Sequence, residues 1–328
     1  MRIAVIGPGA IGCLFAALLS RAGNELWLVD RYPQRAGMLN RRGVFVSRST
    51  TVGGAEGVPQ EFRAGVRATT DPRQIGPVDL VIVAVKSFHT SEAAQAAAPL
   101  VVGETAVLTL QNGLGNLEIL QQTLGAERVI GGVTSQGAAL VAPGQVHHAG
   151  DGPTVIGEPA GLLSERLLGI QETFSQAGIQ TEVTTNLTSA LWGKLVVNVG
   201  LNAVGALAHV RNGGIMESTH LRQVMAAAVR EAVAVARARD IPLLHPDMAA
   251  HAEEICQRTA NNMNSMLQDL LRKRRTEVDA INGAVVRAGA VLGVPTPVND
   301  TLLSLIKGLE DTYPIRMAGL EMRPASEG

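Results

Sequence analysis

Aromatic residues and net charge are both scarce in this chain. Among its 328 residues, Phe, Trp and Tyr make up 3%, and the formal net charge at pH 7 is −1. Proteins that bind nucleic acid usually carry a basic surface and aromatic side chains on which bases stack. The composition therefore argues against nucleic acid as a partner.

Cysteine is scarce as well. The two cysteines, Cys13 and Cys256, lie far apart in the sequence, so no disulfide framework is implied. This usage suits a reducing compartment such as the cytoplasm. The seven histidines, including the pair His147-His148 in a predicted hairpin, show no convincing metal-ligand spacing. We expect no metal site.

Long, pure apolar runs are also missing, and we find none that would make a membrane span. The apolar stretch after Arg2 is similar to a signal peptide, but three glycines and Pro8 within it argue against secretion. We therefore expect a cytoplasmic protein without a membrane partner. Its length suggests two domains.

Glycine, by contrast, occurs in an informative pattern near the start. A short β-branched run, Arg2–Ile6, precedes Gly7-Pro8-Gly9-Ala10-Ile11-Gly12, and a helical stretch of small residues follows. A G-x-G-x-x-G motif between a strand and a helix is typical of dinucleotide binding. Gly7 permits the tight turn, Gly9 lets the backbone approach a pyrophosphate, and Gly12 allows close packing. The helix N-terminus then attracts the phosphates.

The next predicted strand, Glu25–Val29, ends at two residues that favour different cofactors. Asp30 is suited to the ribose hydroxyls of NAD(H), whereas Arg31 is suited to the 2′-phosphate of NADP(H). Phosphate binding requires Arg31 to turn inward and Asp30 outward, or Asp30 to pair with an arginine such as Arg35. The residues alone leave both cofactors open.

Two further strands end in polar residues. The apolar run 78–85 ends at Lys86, and the run 105–110 ends at Gln111-Asn112-Gly113. Ligands of open α/β sheets bind outside the carboxyl ends of the strands. We therefore expect Lys86 and Asn112 on the side where the glycine motif holds the cofactor.

Lys194, Asn198 and Asn202 recur every four residues within an otherwise apolar segment that continues to Ala208. On a helix they form one polar stripe, and buried polar groups need partners. One interpretation is a lysine that reaches water at the rim, with two asparagines bonded to neighbouring backbone. We favour the alternative, in which the stripe lines a polar cleft and faces a ligand.

A second polar segment includes Asn262, Ser265 and Glu277. Thr276 followed by Asp279 predicts a helix start. In one unbroken helix Ser265 and Glu277 would lie roughly 18 Å apart. If both side chains serve one small substrate, the chain must bend near residues 273–276.

The hydrophobic pattern changes near residues 183–187, after which the chain reads as helical throughout. We predict an α/β protein with a Rossmann-type dinucleotide-binding domain at 1–185 and an all-helical substrate or catalytic domain at 186–328.

Almost end to end, the chain resembles the ketopantoate reductase (2-dehydropantoate 2-reductase) family. The resemblance rests on these motifs: the glycine motif, Val85-Lys86, Gln111-Asn112-Gly113, Lys194 with Asn198 and Asn202, Asn212-Gly213, Ser265-Met266-Leu267-Gln268-Asp269, Thr276-Glu277 with Asn282-Gly283, and Gly293-Val294-Pro295-Thr296-Pro297. It implies reduction of 2-dehydropantoate to pantoate with NADPH, for pantothenate synthesis.

The resemblance also implies roles for individual residues. Lys194 would be the catalytic lysine and Glu277 the nearby carboxylate, while Lys86 and Arg31 would approach the cofactor. Contacts to substrate or nicotinamide would come from Asn112, Asn198, Asn202, Asn262 and Ser265. The resemblance favours NADP(H), but Asp30 stands where it places an apolar residue, so NAD(H) stays open.

The residue types fit this chemistry. Hydride transfer to a carbonyl carbon places negative charge on the oxygen, where a lysine stabilises it and then releases a proton. Two rival functions remain: reduction of a different branched 2-oxo acid on the same scaffold, and a non-catalytic dinucleotide-sensing protein. The sequence leaves a homodimer open.

Overall fold

The structure, a computed structural model, describes residues 1–48, 51–52, 55–56 and 60–315. It divides into two units, Met1–Val196 with Ala236–Pro246, and Val197–Val235 with Asp247–Gly328. The boundary between the units thus lies inside a long helix, Leu187–Ala208. The predicted domain limits stay a prediction.

The strands found in the described residues all belong to the first unit. They are β1 (Arg2–Ile6), β2 (Glu25–Val29), β3 (Val44–Arg48), β4 (Thr51–Val52), β5 (Ala55–Glu56), β6 (Gln60–Ala64), β7 (Arg67–Thr69), β8 (Leu80–Val83), β9 (Ala106–Thr109), β10 (Val129–Thr134), β11 (Gly137–Ala142), β12 (Gln145–Gly150), β13 (Thr154–Gly157) and β14 (Thr181–Val183).

The helices run through both units. They are α1 (Ala10–Arg21), α2 (Pro33–Arg42), α3 (Thr90–Ala97), α4 (Asn116–Leu124), α5 (Glu165–Gln176), α6 (Leu187–Ala208), α7 (Asn212–Glu217), α8 (Thr219–Ala238), α9 (Met248–Arg258), α10 (Ser265–Leu271), α11 (Asn282–Leu292) and α12 (Pro297–Asp311). Short 3₁₀ turns lie at Pro72–Gln74, Ser87–His89, Ala98–Leu100 and Ala126–Arg128.

The large sheet has the order expected of a doubly wound fold. Parallel strands follow one another as β7-β2-β1-β8-β9-β10, and β13 and β14 extend the sheet beyond an antiparallel β10–β13 pair. Every residue of β8 and β9 is buried, which explains their continuous apolar runs. The strand order reverses at β1, the position where such sheets bind ligands.

A second sheet, β11-β12-β3-β6, covers α1 on its other side. The core joins Val5 of β1, Leu14 and Phe15 of α1, and Val46 of β3. Phe15 also packs edge-to-face on Phe174 of α5, with ring centroids 5.6 Å apart. The small residues of α1 therefore suit a helix that is buried on both sides, and they fix its N-terminus at the end of β1.

The second unit is helical in its described part. Buried asparagines tie its helices together: Asn282 of α11 donates to the Val199 carbonyl of α6 at 2.9 Å, and Asn299 of α12 donates to the Ala228 carbonyl of α8 at 2.9 Å. Glu231 of α8 also accepts from the backbone N–H of Asn299.

The predicted fold class, a Rossmann-type domain followed by a helical domain, is confirmed.

One expectation about apolar runs needs correction. Within the described residues, α6 is long and apolar enough to cross a membrane by length and composition, although no such segment is expected from the sequence. Lys194, Asn198 and Asn202 interrupt its apolar run. Of the most apolar window, 67% is buried inside the protein, as in a core helix.

The helix start predicted at Thr276 is also wrong. α11 begins at Asn282, and residues 277–281 form turns. Thr276 Oγ1 does accept from the N–H of Val278, at 3.2 Å, but its own N–H donates to Glu310 Oε1 at 2.7 Å. Anchored to α12 in this way, the segment makes a local turn before the helix begins.

Candidate functional site

The glycine motif forms the loop between β1 and α1. Gly7 has φ +98°, and a Cβ there would lie 2.6 Å from Val85 Cγ1; a Cβ on Gly12 would collide with the Gly7 carbonyl oxygen. For Gly9, the nearest non-neighbouring atom among the described residues would be Ala84 O, at an ordinary 3.8 Å. Packing within the chain therefore explains Gly7 and Gly12, whereas Gly9 leaves space for a ligand.

α1 begins directly after this loop, with Gly9 at the N-cap position and no side-chain cap. The first backbone N–H groups of a helix need acceptors, and a phosphate supplies them. Pro8 is buried, and Ala10 and Ile11 open the helix. The loop thus fits the pyrophosphate of a dinucleotide.

Asp30, at the end of β2, is buried and paired. Arg35 Nη2 donates to its Oδ1 at 2.7 Å, Arg35 Nε donates to Oδ2, and the N–H of Tyr32 donates to Oδ1 at 3.0 Å. The hydrogen bond to Asp30 raises the pKa of Arg35. This pairing is one of the two conditions that 2′-phosphate binding required.

Arg31 is less buried than Asp30, with 55% of its side chain exposed. Its Nη2 lies 2.9 Å from His89 Nε2, and its guanidinium lies 5.3 Å from the centre of the Tyr32 ring. Sequence reasoning missed His89, because a lone histidine four residues after the predicted strand 78–85 carries no motif.

The loops after β8 and β9 are held together by a buried amide. Gln111 Nε2 donates to the Val85 carbonyl at 3.0 Å and to Thr90 Oγ1 at 2.8 Å. Lys86 and Asn112, the two predicted site residues, are the direct neighbours of this junction and are half-buried. The structure therefore brings their backbones to the same sheet edge as the glycine loop. Gln111, the first residue of the Gln111-Asn112-Gly113 motif, holds the two loops together.

Lys194 reaches the same edge from α6. Its Nζ donates to the carbonyl oxygen of Thr134 at 2.8 Å. Thr134 is the last residue of β10, the parallel neighbour of β9. The half-buried ammonium thus lies at the carboxyl end of the sheet, where Asn112 also lies. Thr134 has no sequence signal, since a backbone carbonyl does not depend on residue type.

The remaining predicted residues belong to the second unit. Asn198 and Asn202 follow on α6, and Asn202 is 5% exposed. Ser265 is the first residue of α10, which Asn264 caps by accepting from the N–H of Leu267 at 2.9 Å. Asn262 accepts from the N–H of Asn212 through its carbonyl, at 3.1 Å.

Between Ser265 and Glu277 the helix is broken, as predicted. α10 ends at Leu271, and Lys273 has φ +51°. The N–H of Lys273 donates to Leu270 and that of Arg274 donates to Asp269, the two bonds of a Schellman helix end. Glu277 is 6% exposed rather than directed to solvent. Its proposed pairing with Lys194 stays a prediction.

The histidine pair has other partners than a metal. His147 Nδ1 lies 3.3 Å from Ser47 Oγ, and His148 Nε2 lies 2.6 Å from Gln136 Oε1. No three His, Cys, Asp or Glu side chains in the described ranges are grouped to hold a metal ion. Cys13, behind the glycine loop, is an inert thiol, because burial raises its pKa to about 12.

A doubly wound sheet with a glycine loop at its switch point defines a dinucleotide-binding protein. Two family models identify it further: Ketopantoate reductase PanE/ApbA matches residues 3–161, and Ketopantoate reductase PanE/ApbA C terminal matches residues 186–310. The chain belongs to the ketopantoate reductase family.

Similar proteins match this chain over nearly their whole length. The chain is 37% identical to the 2-dehydropantoate 2-reductase of Halobacterium salinarum, over 94% of this chain and 98% of that protein. Among solved structures, a PanE/ApbA family ketopantoate reductase from Ralstonia eutropha has a TM-score of 0.83 and 32% identity, covering 95% of this chain and 99% of that one. D-mandelate dehydrogenase with NADH and anilino(oxo)acetate has a TM-score of 0.86 and 28% identity, with the same coverage.

Proposed function

We propose that this protein reduces the ketone of 2-dehydropantoate to give pantoate, with a nicotinamide dinucleotide as the reductant. The observation that carries the proposal is the placement of the Lys194 ammonium, which donates to Thr134 at the sheet edge that also bears the glycine loop. A positive donor beside a dinucleotide site suits a reaction that creates an alkoxide. The choice of 2-dehydropantoate as the substrate rests on two relatives. They are the 2-dehydropantoate 2-reductases of Halobacterium salinarum and Pyrococcus horikoshii, which are 37% and 34% identical to this chain.

Residues 7–12 and the N-terminus of α1 would hold the pyrophosphate, with Lys86 and Asn112 beside it. A bound nicotinamide supplies the hydride. We propose NADP(H) as the preferred form, because Arg35 neutralises Asp30 and leaves Arg31 as the exposed cation at the end of β2. A free carboxylate at Asp30 would repel a 2′-phosphate, whereas a paired one repels it far less.

Lys194 would donate a hydrogen bond to the substrate ketone, stabilise the oxygen as negative charge develops, and then transfer its proton there. Glu277 would hold Lys194 in its charged form, since burial alone favours loss of the proton. Ser265 and the asparagines 198, 202 and 262 would bind the carboxylate and hydroxyl groups. These side chains are uncharged hydrogen-bond donors, so they can bind an anionic substrate without repelling it.

A second candidate is reduction of a 2-oxo acid with a different side chain. This second candidate is supported by the similarity to D-mandelate dehydrogenase, at 28% identity over 95% of this chain, because the structure of that enzyme contains anilino(oxo)acetate. Both candidates use the same lysine and dinucleotide. They differ only in the side chain that the substrate presents.

One assay separates the candidates. We would measure NADPH and NADH oxidation with 2-dehydropantoate and, in parallel, with a panel of aliphatic and aromatic 2-oxo acids. The proposal predicts the highest kcat/KM for 2-dehydropantoate with NADPH. A higher kcat/KM for an aromatic oxo acid supports the second candidate, and dinucleotide binding without turnover on any acid supports a sensing protein. A cytoplasmic location and a homodimer stay predictions, to be checked by fractionation and light scattering.

A further inference from the structure

The turn after β8 places an imidazole against the arginine that follows β2. His89 ends the 3₁₀ turn Ser87–His89, and Arg31 comes two residues after Val29. β2 and β8 both flank β1 in the parallel sheet, so their carboxyl ends lie on either side of the glycine loop. Arg31 Nη2 and His89 Nε2 are 2.9 Å apart, a hydrogen-bond distance.

Donor and acceptor chemistry fixes the state of His89 in this contact. A guanidinium has donors and no acceptor, so Nε2 must be the acceptor and Nδ1 must carry the proton. Glu92 Oε2 lies 3.0 Å from Nδ1 and favours the proton there, although Nδ1 makes no well-aligned hydrogen bond. His89 is therefore neutral and accepts from Arg31.

A neutral acceptor orients a guanidinium without cancelling its charge. The closest carboxylate contact of Arg31 is with Glu92, at 4.0 Å, and 70% of that side chain is exposed, so solvent screens the attraction. Asp30 is engaged by Arg35 instead. Arg31 thus keeps both a fixed direction and a positive charge that an anion can use.

We propose that His89 is a positioning residue for cofactor choice, which holds Arg31 in place to bind the 2′-phosphate of NADPH. This inference rests on the proposed function, in which Arg31 binds that phosphate. Pre-orientation lowers the entropy lost when the phosphate binds, and the benefit applies only to the phosphorylated cofactor. NADH lacks the group that Arg31 would contact.

Three substitutions of His89 test the acceptor. His89→Phe keeps a ring but removes the acceptor, and should raise KM for NADPH about five-fold, the ratio that corresponds to one ordinary hydrogen bond, with less than two-fold change for NADH. His89→Gln keeps an acceptor and should stay close to the parent protein. His89→Glu supplies a charged acceptor that neutralises Arg31, and should raise KM for NADPH more than His89→Phe does.

Arg31→Ala is measured alongside, with thermal melting of every variant as a check on folding. If Arg31→Ala leaves KM for NADPH unchanged, the NADP(H) preference in the proposed function is wrong, and this inference fails with it. If Arg31→Ala raises KM but His89→Phe does not, only the role of His89 is refuted. Equal effects of His89→Phe on NADPH and NADH, or a His89→Gln variant as weak as His89→Phe, also overturn it.

Discussion

Asp30 and Arg35 form a two-point ion pair at the end of β2. Arg35 Nη2 donates to Asp30 Oδ1 at 2.7 Å while Nε donates to Oδ2, and the carboxylate side chain is 0% exposed. Two parallel hydrogen bonds of this kind are stronger and more directional than a single charge contact. The carboxylate that would select NAD(H) is thereby occupied within the chain.

Arg35→Ala should release that carboxylate and shift the cofactor preference. We expect KM for NADPH to rise about five- to ten-fold, because an uncompensated negative charge near the 2′-phosphate repels it. KM for NADH should stay the same or fall. In the double variant Asp30→Asn/Arg35→Ala the charge is absent, so NADPH binding should recover. An unchanged ratio of the two KM values in Arg35→Ala would show that Asp30 does not face the cofactor.

Lys194→Ala should lower kcat by about 10²–10⁴-fold, the range for a positioned acid or base. The dinucleotide loop lies elsewhere on the sheet edge, so the Kd for NADPH, followed by fluorescence titration, should change little. Thr134 contributes only its carbonyl oxygen to Lys194, so Thr134→Ser is a control that should retain activity. Near-normal turnover in a folded Lys194→Ala protein would contradict the catalytic assignment.

Local sequence patterns predicted β1, the glycine loop and α1 well, because a strand, a glycine turn and a helix are set by neighbouring residues. Contacts between residues far apart in the sequence were harder to predict. Lys194 and Thr134 are 60 positions apart, and the lysine donates to a backbone carbonyl that any residue would provide. Thr276 failed as a helix cap because Glu310, on another helix, engages its N–H. Arg35 was named as a partner of Asp30, but only the packed structure selects it.

His148 should make stability depend on pH. Burial lowers its pKa, with a further lowering by Arg48 and an opposing effect of Asp151. In the unfolded chain the imidazole returns to a pKa near 6.5 and binds a proton that the folded form resists. The free energy of unfolding should therefore be fully retained above that pH and decrease as the pH falls below it.

Urea unfolding at a series of pH values measures this effect. His148→Gln should flatten the slope below pH 6.5, while His147→Gln, at the adjacent position of β12, removes only the small lowering effect of His147 and should change the slope much less. If the parent protein and His148→Gln show the same slope, another group is responsible.

Lys273 ends α10 in a left-handed conformation, with φ +51°. A side chain with a Cβ costs about 1–2 kcal/mol there, and β-branching makes the conformation worse. Lys273→Gly relieves this cost, but glycine also gains entropy in the unfolded chain, which offsets part of the benefit. The free energy of unfolding should therefore rise by only roughly 0.5–1 kcal/mol. Lys273→Val should lower it by about 1 kcal/mol or more. The opposite order in urea unfolding would mean that the helix does not end at this residue.

Glu277→Gln tests the carboxylate that we assign to Lys194. The side chain is 6% exposed, and its backbone carbonyl accepts from the N–H groups of Ala280 and Ile281 at 3.0 Å. Glutamine keeps the shape and these backbone bonds but removes the charge. Without the carboxylate, Lys194 loses part of the stabilisation of its charged form, so kcat should fall by at least ten-fold. KM for the oxo acid should change less.

The matched control lies in the same turn. Asp279 is a carboxylate that pairs with Lys307 at 3.0 Å and Arg275 at 3.3 Å. Burial raises its pKa, but these two partners together outweigh burial and lower it. Asp279→Asn removes one charge from the same segment, so kcat should stay within two-fold of the parent protein. The pH profile adds a second criterion: in Glu277→Gln the alkaline limb of kcat should move to lower pH, because Lys194 loses its proton more easily. Equal losses in both variants, or an unmoved alkaline limb, would leave Glu277 with a structural role only.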